Sequence, residues 1–310
     1  MKYDIGKIKN IKELLGIGEF GVPPNGESLN KEEYIKMLKE TDKTFEYENK
    51  DGYHIVKKVR HEHINPGREN WDVEYRFNSD LFRSDHFKKE HDGLHIVFSG
   101  CSSTEGVGIK QEHTWAYNIY NELSKTKKID GYYNLGQSNS GYHQIIGNFL
   151  TYVEKYGKPD YLFVLLPNIQ RRYKYLEEEN YWGYVSYPQQ GPTTMTEGPT
   201  FEIDDYISVF PTWAKTWQSF INYCKNNKIK LFWSTWDATD RNHIALSSIL
   251  LESFVTMDIY NDQVMMVGEM LEAKHITKKE IYARDNHPGP LVNSLWSKNF
   301  LDKLKKDGEF

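Results

Sequence analysis

The 310-residue chain contains only two cysteines, Cys101 and Cys224. Two thiols are too few for a disulfide framework, and no Cys pair is spaced to hold a metal. No apolar run approaches the roughly 20 residues that cross a bilayer. The Lys-rich start, Met1 to Lys12, has no apolar core of the kind a secretion signal carries. A protein with no signal peptide and no transmembrane segment is expected. Positive charge is also short: 39 Lys and Arg against 44 Asp and Glu leave a net −5, which argues against nonspecific nucleic-acid binding. Internal repeats and low-complexity tracts are missing too. What remains is a chain long enough to bury a large core, as one big domain or one with a small addition.

The chain divides near Gly93. Residues 1–92 are polar and charged, with strand-like runs at Tyr53 to Val59 and Val73 to Phe77. Turn signals stand at Pro23-Pro24-Asn25-Gly26 and Asn65-Pro66-Gly67. This stretch reads as a small β-containing extension that packs on the rest, since alone it has little to bury. From residue 93 to 310, apolar strand candidates alternate with helix candidates. The strands are Leu94 to Phe98, Tyr132-Tyr133, Tyr161 to Leu166 and Leu231 to Trp236. The helices are His113 to Lys125, His143 to Tyr156, Tyr206 to Asn226, Asn242 to Phe254 and Leu291 to Lys305. Alternation of this kind predicts an α/β fold with a parallel sheet covered on both faces.

Directly after the first of these strands comes Ser99-Gly100-Cys101-Ser102-Ser103-Thr104-Glu105-Gly106. A β-branched run ending in Gly-x-Ser-x-Thr-x-Gly predicts a tight strand-to-helix turn that holds a serine hydroxyl at the sheet's carboxyl edge, where α/β sheets keep their chemistry. Three more segments follow: Asn134-Leu135-Gly136-Gln137-Ser138-Asn139-Ser140-Gly141, Leu165-Leu166-Pro167-Asn168, and Asp285-Asn286-His287-Pro288-Gly289-Pro290. In this order the four resemble the sequence blocks of the SGNH (GDSL-like) hydrolases. The first is in the variant with cysteine before the nucleophile that occurs in bacterial and phage members. Tyr75 to Arg83 resembles a segment that often precedes that variant block. The resemblance covers residues 93–306. It implies a flavodoxin-like three-layer α/β/α fold and acyl transfer without cofactor or metal, in a cytoplasmic or virion-associated protein.

By this resemblance Ser102 is the nucleophile and His287 the base that takes its proton. Asp285 is the candidate acid that orients the imidazole. The family spacing is Asp-x-x-His, whereas this chain has Asp-x-His with Arg284 in the acid's usual place. Residues two apart in an extended segment share a side, so Asp285 can still serve. A Ser-His dyad, or an acid from Asp237 or Asp240, is the alternative. The oxyanion donors implied are the Ser102 amide, the Asn139 amide and the Asn168 side chain. Asn139 stands where the family has glycine, and asparagine tolerates the left-handed backbone better than most residues. Read alone, Ser102-x-x-Glu105 also fits a helix capping box. Cys101 should point inward as a small hydrophobe rather than act as nucleophile.

Tyr173 to Asp205 interrupts the alternation with Tyr173, Tyr175, Tyr181, Trp182, Tyr184 and Tyr187, the two Gly-Pro pairs Gly191-Pro192 and Gly198-Pro199 and no sustained helical or strand period. A loop of this length is usually functional or disordered, and its aromatics argue against disorder. Following Asn168, it should overhang the nucleophile, with Tyr181, Trp182 and Tyr184 stacking on sugar rings or packing a homo-oligomer or particle contact. Arg171, followed by Arg172, either meets an anionic substrate group or is solvated. His61-Glu62-His63 lacks further ligands at metal spacing, and Met265-Met266 belongs to the core. The expected function is a serine esterase acting on a small-molecule or glycan ester, most naturally O-acetyl groups, with no nucleic-acid or membrane partner. The alternatives are a structural or binding module with weak catalysis and a sugar O-acetyltransferase.

Overall fold

The computed structural model describes residues 19–22, 30–40, 45–58, 73–169, 171–176, 181–185, 203–236, 254–255 and 287–310. Its elements in chain order are α1 (Lys31–Glu40), β1 (Phe45–Lys50), β2 (Tyr53–Lys58), β3 (Val73–Phe77), β4 (Ile96–Gly100) and α2 (Ser102–Glu105). There follow α3 (Trp115–Ser124), β5 (Tyr133–Asn134), α4 (Tyr142–Tyr156), β6 (Tyr161–Leu166), β7 (Arg172–Leu176) and β8 (Tyr181–Val185). The last are α5 (Ile203–Asn226), β9 (Lys230–Thr235) and α6 (Pro290–Lys306).

The main sheet runs β5-β4-β6-β9, with every pairing parallel. Past β9, Phe254 bridges Trp233 in the same sense. Numbered within the sheet, the order is 2-1-3-4, which matches the first four strands of the flavodoxin-type order. All six residues of β6 are buried, as a strand covered on both faces requires. Their side chains alternate between two cores. Leu162 and Val164 join Ile145, Phe149 and Tyr152 of α4 and Trp213, Trp217 and Phe220 of α5. Phe163 and Leu165 join Trp115, Ile119 and Leu123 of α3 and Val292, Trp296 and Phe300 of α6. Helices thus cover both faces, and the fold is a three-layer α/β/α sandwich. In α4 the residues 142, 145, 149 and 152 recur at helical spacing, which turns one stripe to the sheet. Thr114 caps α3 by accepting from the Tyr117 N–H at 3.2 Å.

The N-terminal strands form a separate antiparallel sheet, β1-β2-β3, in which Val56, Val73, Tyr75 and Phe77 pack with Leu38 of α1. Helix α1 is absent from the sequence reading, yet its start is encoded. Glu33 N–H donates to Asn30 Oδ1 at 2.9 Å while Asn30 N–H donates to Glu33 Oε2 at 3.0 Å, a reciprocal capping box with asparagine at its head.

Two expectations are corrected. The aromatic insertion is not without strand period: residues 172–176 and 181–185 pair as an antiparallel hairpin, Tyr175 opposite Trp182. Alternating tyrosines favour strands. Helix α5 begins at Ile203, three residues before the expected Tyr206, and runs through Pro211. The helix candidate Asn242 to Phe254 lies, apart from Phe254, outside the described residues. So do His61 to His63, Met265-Met266 and both Pro/Asn-Gly turn signals. Among the described residues, no helix is long and apolar enough to cross a membrane.

Candidate active site

Strand β4 ends at Gly100, where a Cβ would stand 2.1 Å from Thr104 Oγ1 and 2.6 Å from the Leu165 carbonyl oxygen. Only glycine lets the chain turn this sharply beside β6. The turn leads into α2, and Ser102 occupies its first helical position rather than its cap. Cys101 is the N-cap, and its side chain makes no capping hydrogen bond. The capping-box expectation is thereby corrected, because the Glu105 carboxylate is engaged elsewhere. Ser102 is 7% exposed, and Cys101, as expected, is fully buried behind it with Sγ 4.0 Å from the serine Oγ.

The loop after β5 is drawn against α2 by buried polar groups. Asn134 Nδ2 donates to the Thr104 carbonyl at 2.9 Å, and Asn134 Oδ1 accepts from the Gly136 N–H at 2.8 Å. Gly136 fits so closely that a Cβ would lie 2.4 Å from the Glu105 nitrogen. Gln137 N–H donates to the Gly100 carbonyl, and its side-chain oxygen accepts from Asn148 of α4, whose own oxygen accepts from Gln144. Beyond Gln137 the chain reaches Asn139, whose φ of 62° is the left-handed conformation anticipated for it. Among the described residues, neither the Ser102 nor the Asn139 N–H donates to a backbone carbonyl.

Asn168 follows β6 and is buried, its carbonyl accepting from the Arg171 N–H at 3.1 Å. Arg171 is half-buried with its guanidinium 5.7 Å from the Trp236 ring centre, so it is not simply a solvated surface cation. His287 arrives from the other end of the chain, just before α6. Asn293 of α6 fixes that approach: its Nδ2 donates to the Pro288 and Gly289 carbonyls at 3.0 Å, and its Oδ1 accepts from the Trp115 N–H at 3.0 Å. Asp285, Arg284, Asp237 and Asp240 lie outside the described residues. Tyr181, Trp182 and Tyr184 are placed by backbone alone, on β8.

The sequence reading gives three parts of this region no role in the site: Glu105, the segment Tyr75 to Arg83, and Asn293. Glu105 is buried with its carboxylate on Ser138. Arg83, also buried, donates through Nη1 to the Glu105 and Gly106 carbonyls at 3.3 and 2.6 Å and through Nη2 to the Glu74 carbonyl. Tyr75 Oη accepts from the Gly108 N–H at 2.7 Å. The segment Tyr75 to Arg83 therefore grips the turn that carries Ser102. Asn293 is the third, invisible in sequence because the backbone group it serves at Trp115 is 178 residues away.

Ser102, Asn139 and Asn168 thus stand at the carboxyl ends of β4, β5 and β6, around the point where strand order reverses. That is where open α/β sheets bind ligands. No protein-family model matches the chain, and no curated protein matches it in sequence. Solved structures do resemble it. One is a member of the lipolytic protein G-D-S-L family from Veillonella parvula, 12% identical over 67% of this chain and 97% of that one, TM-score 0.34. The acetyl xylan esterase AlAXEase is 12% identical over 67% of this chain and 98% of its own, TM-score 0.37. The esterase EstA from Pseudoalteromonas sp. is 12% identical over 68% and 96%, TM-score 0.36. Scores this low leave the fold and the site to be judged on the chain's own geometry.

Proposed function

We propose that this chain is a serine ester hydrolase that forms an acyl-enzyme on Ser102 and removes O-acyl groups, chiefly O-acetyl, from a carbohydrate. The observation that carries the reading is that Ser102, Asn139 and Asn168 follow three adjacent parallel strands, β4, β5 and β6, on either side of the switch point. In the reaction, Ser102 Oγ attacks the acyl carbonyl carbon while His287 takes the hydroxyl proton. The resulting oxyanion accepts hydrogen bonds from the Ser102 and Asn139 amides and the Asn168 side chain. Such donors, fixed before the reaction, often supply the largest share of rate enhancement. The intermediate collapses, the alcohol leaves with the proton from His287, and a water deprotonated by the same imidazole then cleaves the acyl-enzyme. The products are the carboxylic acid and the free serine. Asp285 is the acid assigned to orient His287. The carbohydrate preference rests on Tyr181, Trp182 and Tyr184 of the hairpin that follows Asn168.

A second reading, a binding module that kept the fold and lost strong catalysis, draws support from Arg284 standing where the family pattern has its acid. One experiment decides between them. The protein is incubated with p-nitrophenyl acetate and, separately, with a serine-directed phosphonate. Turnover together with a mass addition on Ser102 supports the hydrolase. Ser102→Ala should then lose about 10³-fold or more of its rate while staying folded. Unchanged turnover in that variant, or no adduct on the unaltered protein, rejects the assignment.

A further inference from the structure

Among the described residues, Glu105 is the buried carboxylate beside the candidate nucleophile, and the acyl-transfer scheme gives it no part. It stands three residues past Ser102 and closes α2. Its Oε2 accepts two hydrogen bonds from one residue, the Ser138 N–H at 2.6 Å and the Ser138 hydroxyl at 2.5 Å. Ser138 directly precedes Asn139, whose left-handed φ turns the backbone at that point. The main chain of Glu105 is tied down as well, its N–H to the Cys101 carbonyl and its carbonyl to Arg83. One side chain on the nucleophile's own helix therefore grips the loop that carries the other backbone donor.

We propose that Glu105 is the positioning residue of the oxyanion hole, holding the Asn139 N–H in register with the Ser102 N–H through its bonds to Ser138. This rests on the hydrolase reading above. The requirement is physical: two amides from different loops must aim at one developing charge, and an error near 1 Å can cost about 100-fold in rate. The other ties of this loop, Asn134 to Thr104, Gln137 to Gly100 and Gln137 to Asn148, all lie before Ser138 and leave the residue next to Asn139 unfixed. Tethered to Glu105, it moves with Ser102. Burial holds the carboxyl's pKa above its ordinary value, against the smaller downward pull of the Ser138 bonds and the charges of Arg83 and His287. Tyr34 of α1 also lies within reach of its charge. Both Ser138 bonds fall on the same oxygen, Oε2, so the carboxylate acts on Asn139 through Ser138.

The test measures Glu105→Leu, which has no acceptor for Ser138, Ser138→Ala and the double variant with p-nitrophenyl acetate, and with phenylboronic acid as a tetrahedral mimic that engages both Ser102 and the oxyanion hole. Positioning predicts that kcat falls about 10- to 100-fold with KM nearly unchanged. Phenylboronate inhibition should weaken by the same factor, and the double variant should be no worse than the poorer single. Losses that multiply in the double variant, or a fall in kcat with phenylboronate inhibition intact, overturn the proposal. So does full activity in Glu105→Leu. If Glu105→Leu does not fold, Ser138→Ala, which removes the hydroxyl bond, carries the same comparison of kcat with inhibition. Failure here leaves the hydrolase reading standing, because that one falls only if the unaltered protein shows no turnover and no Ser102 adduct.

Discussion

Cys101 and Ser102 are adjacent, yet one is enclosed by the core and the other faces the sheet edge. The sequence shows this directly, because successive residues at a strand end point to opposite sides. It shows Asn139 as well, since a non-glycine residue in a tight loop is best served by asparagine. It does not show Glu105, because Ser-x-x-Glu is the pattern of a capping box and only the fold reveals that the carboxylate crosses to Ser138. The roles of His287 and Asp285 are open to direct measurement. His287→Ala should abolish ester cleavage to the same extent as Ser102→Ala. Asp285→Asn should match it if Asp285 holds the imidazole. A loss under about tenfold in Asp285→Asn would take that residue out of the site and point to Asp237, Asp240 or a dyad.

Among the secondary-structure elements, those with strong periodicity are legible. Tyr161–Leu166 and Val73–Phe77 fall where the apolar pattern places them, as do the cores of α4 and α6. The hairpin β7–β8 and helix α1 are not read, although both carry signals, aromatic alternation in the first and Asn30-x-x-Glu33 in the second. The hydrogen bond from Gly108 to Tyr75 ties β3 to the segment behind Ser102. Tyr75→Phe removes its acceptor and leaves a buried N–H unpaired, at a cost of about 1–3 kcal/mol. Denaturant unfolding should show a lower midpoint at unchanged slope. The hairpin allows a second test. If it lines a glycan cleft, Trp182→Ala should cut turnover of an acetylated oligosaccharide far more than that of a small aryl acetate, since remote contacts assist only a substrate that reaches them. Equal small effects on both, with a shift in oligomer size by light scattering, would assign the hairpin to a subunit contact.

The molecule as a whole has a pH dependence set far from the site, at the amino-terminal end of β4. There the His95 ring stacks on His91 at 3.5 Å and bonds Tyr152 Oη through Nε2 at 2.7 Å. Burial, with the neighbouring charge of His91, lowers its pKa to about 4, against the opposing pull of Asp160 and Asp130. The unfolded chain therefore binds a proton near the ordinary imidazole value that the folded one refuses. Stability is full above about pH 6.5 and falls as the pH drops toward 4, by about 3 kcal/mol from this group. Burial of Asp130 opposes its ionisation, but hydrogen bonds from Tyr133, His91 and the Asp92 N–H, with the Lys88 charge, outweigh that and hold its pKa at about 2. Its contribution is present above the ordinary aspartate range and is lost only below it. Urea midpoints between pH 7 and 4 should fall steeply, and His95→Gln should flatten that limb. An unchanged slope in the variant would reject the assignment. None of this is legible from sequence, where His91 and His95 are ordinary residues flanking a strand.

Helix α6 carries a consequence for how the protein comes into being. Its Trp296 and Phe300 complete the core over α3, with Phe300 stacked on Trp115, and its Asn293 secures the approach of His287. His287, Asn293, Trp296 and Phe300 leave the ribosome after the turn at Ser102, the loops that carry Asn139 and Asn168, and strands β4, β5, β6 and β9. A nascent chain can therefore assemble Ser102 with its amide donors and still lack a base to activate it. On the mechanism proposed above the hydroxyl gains its base only when α6 docks, so the order of synthesis itself would delay chemistry until the turn, its amides and the core over α3 are in place.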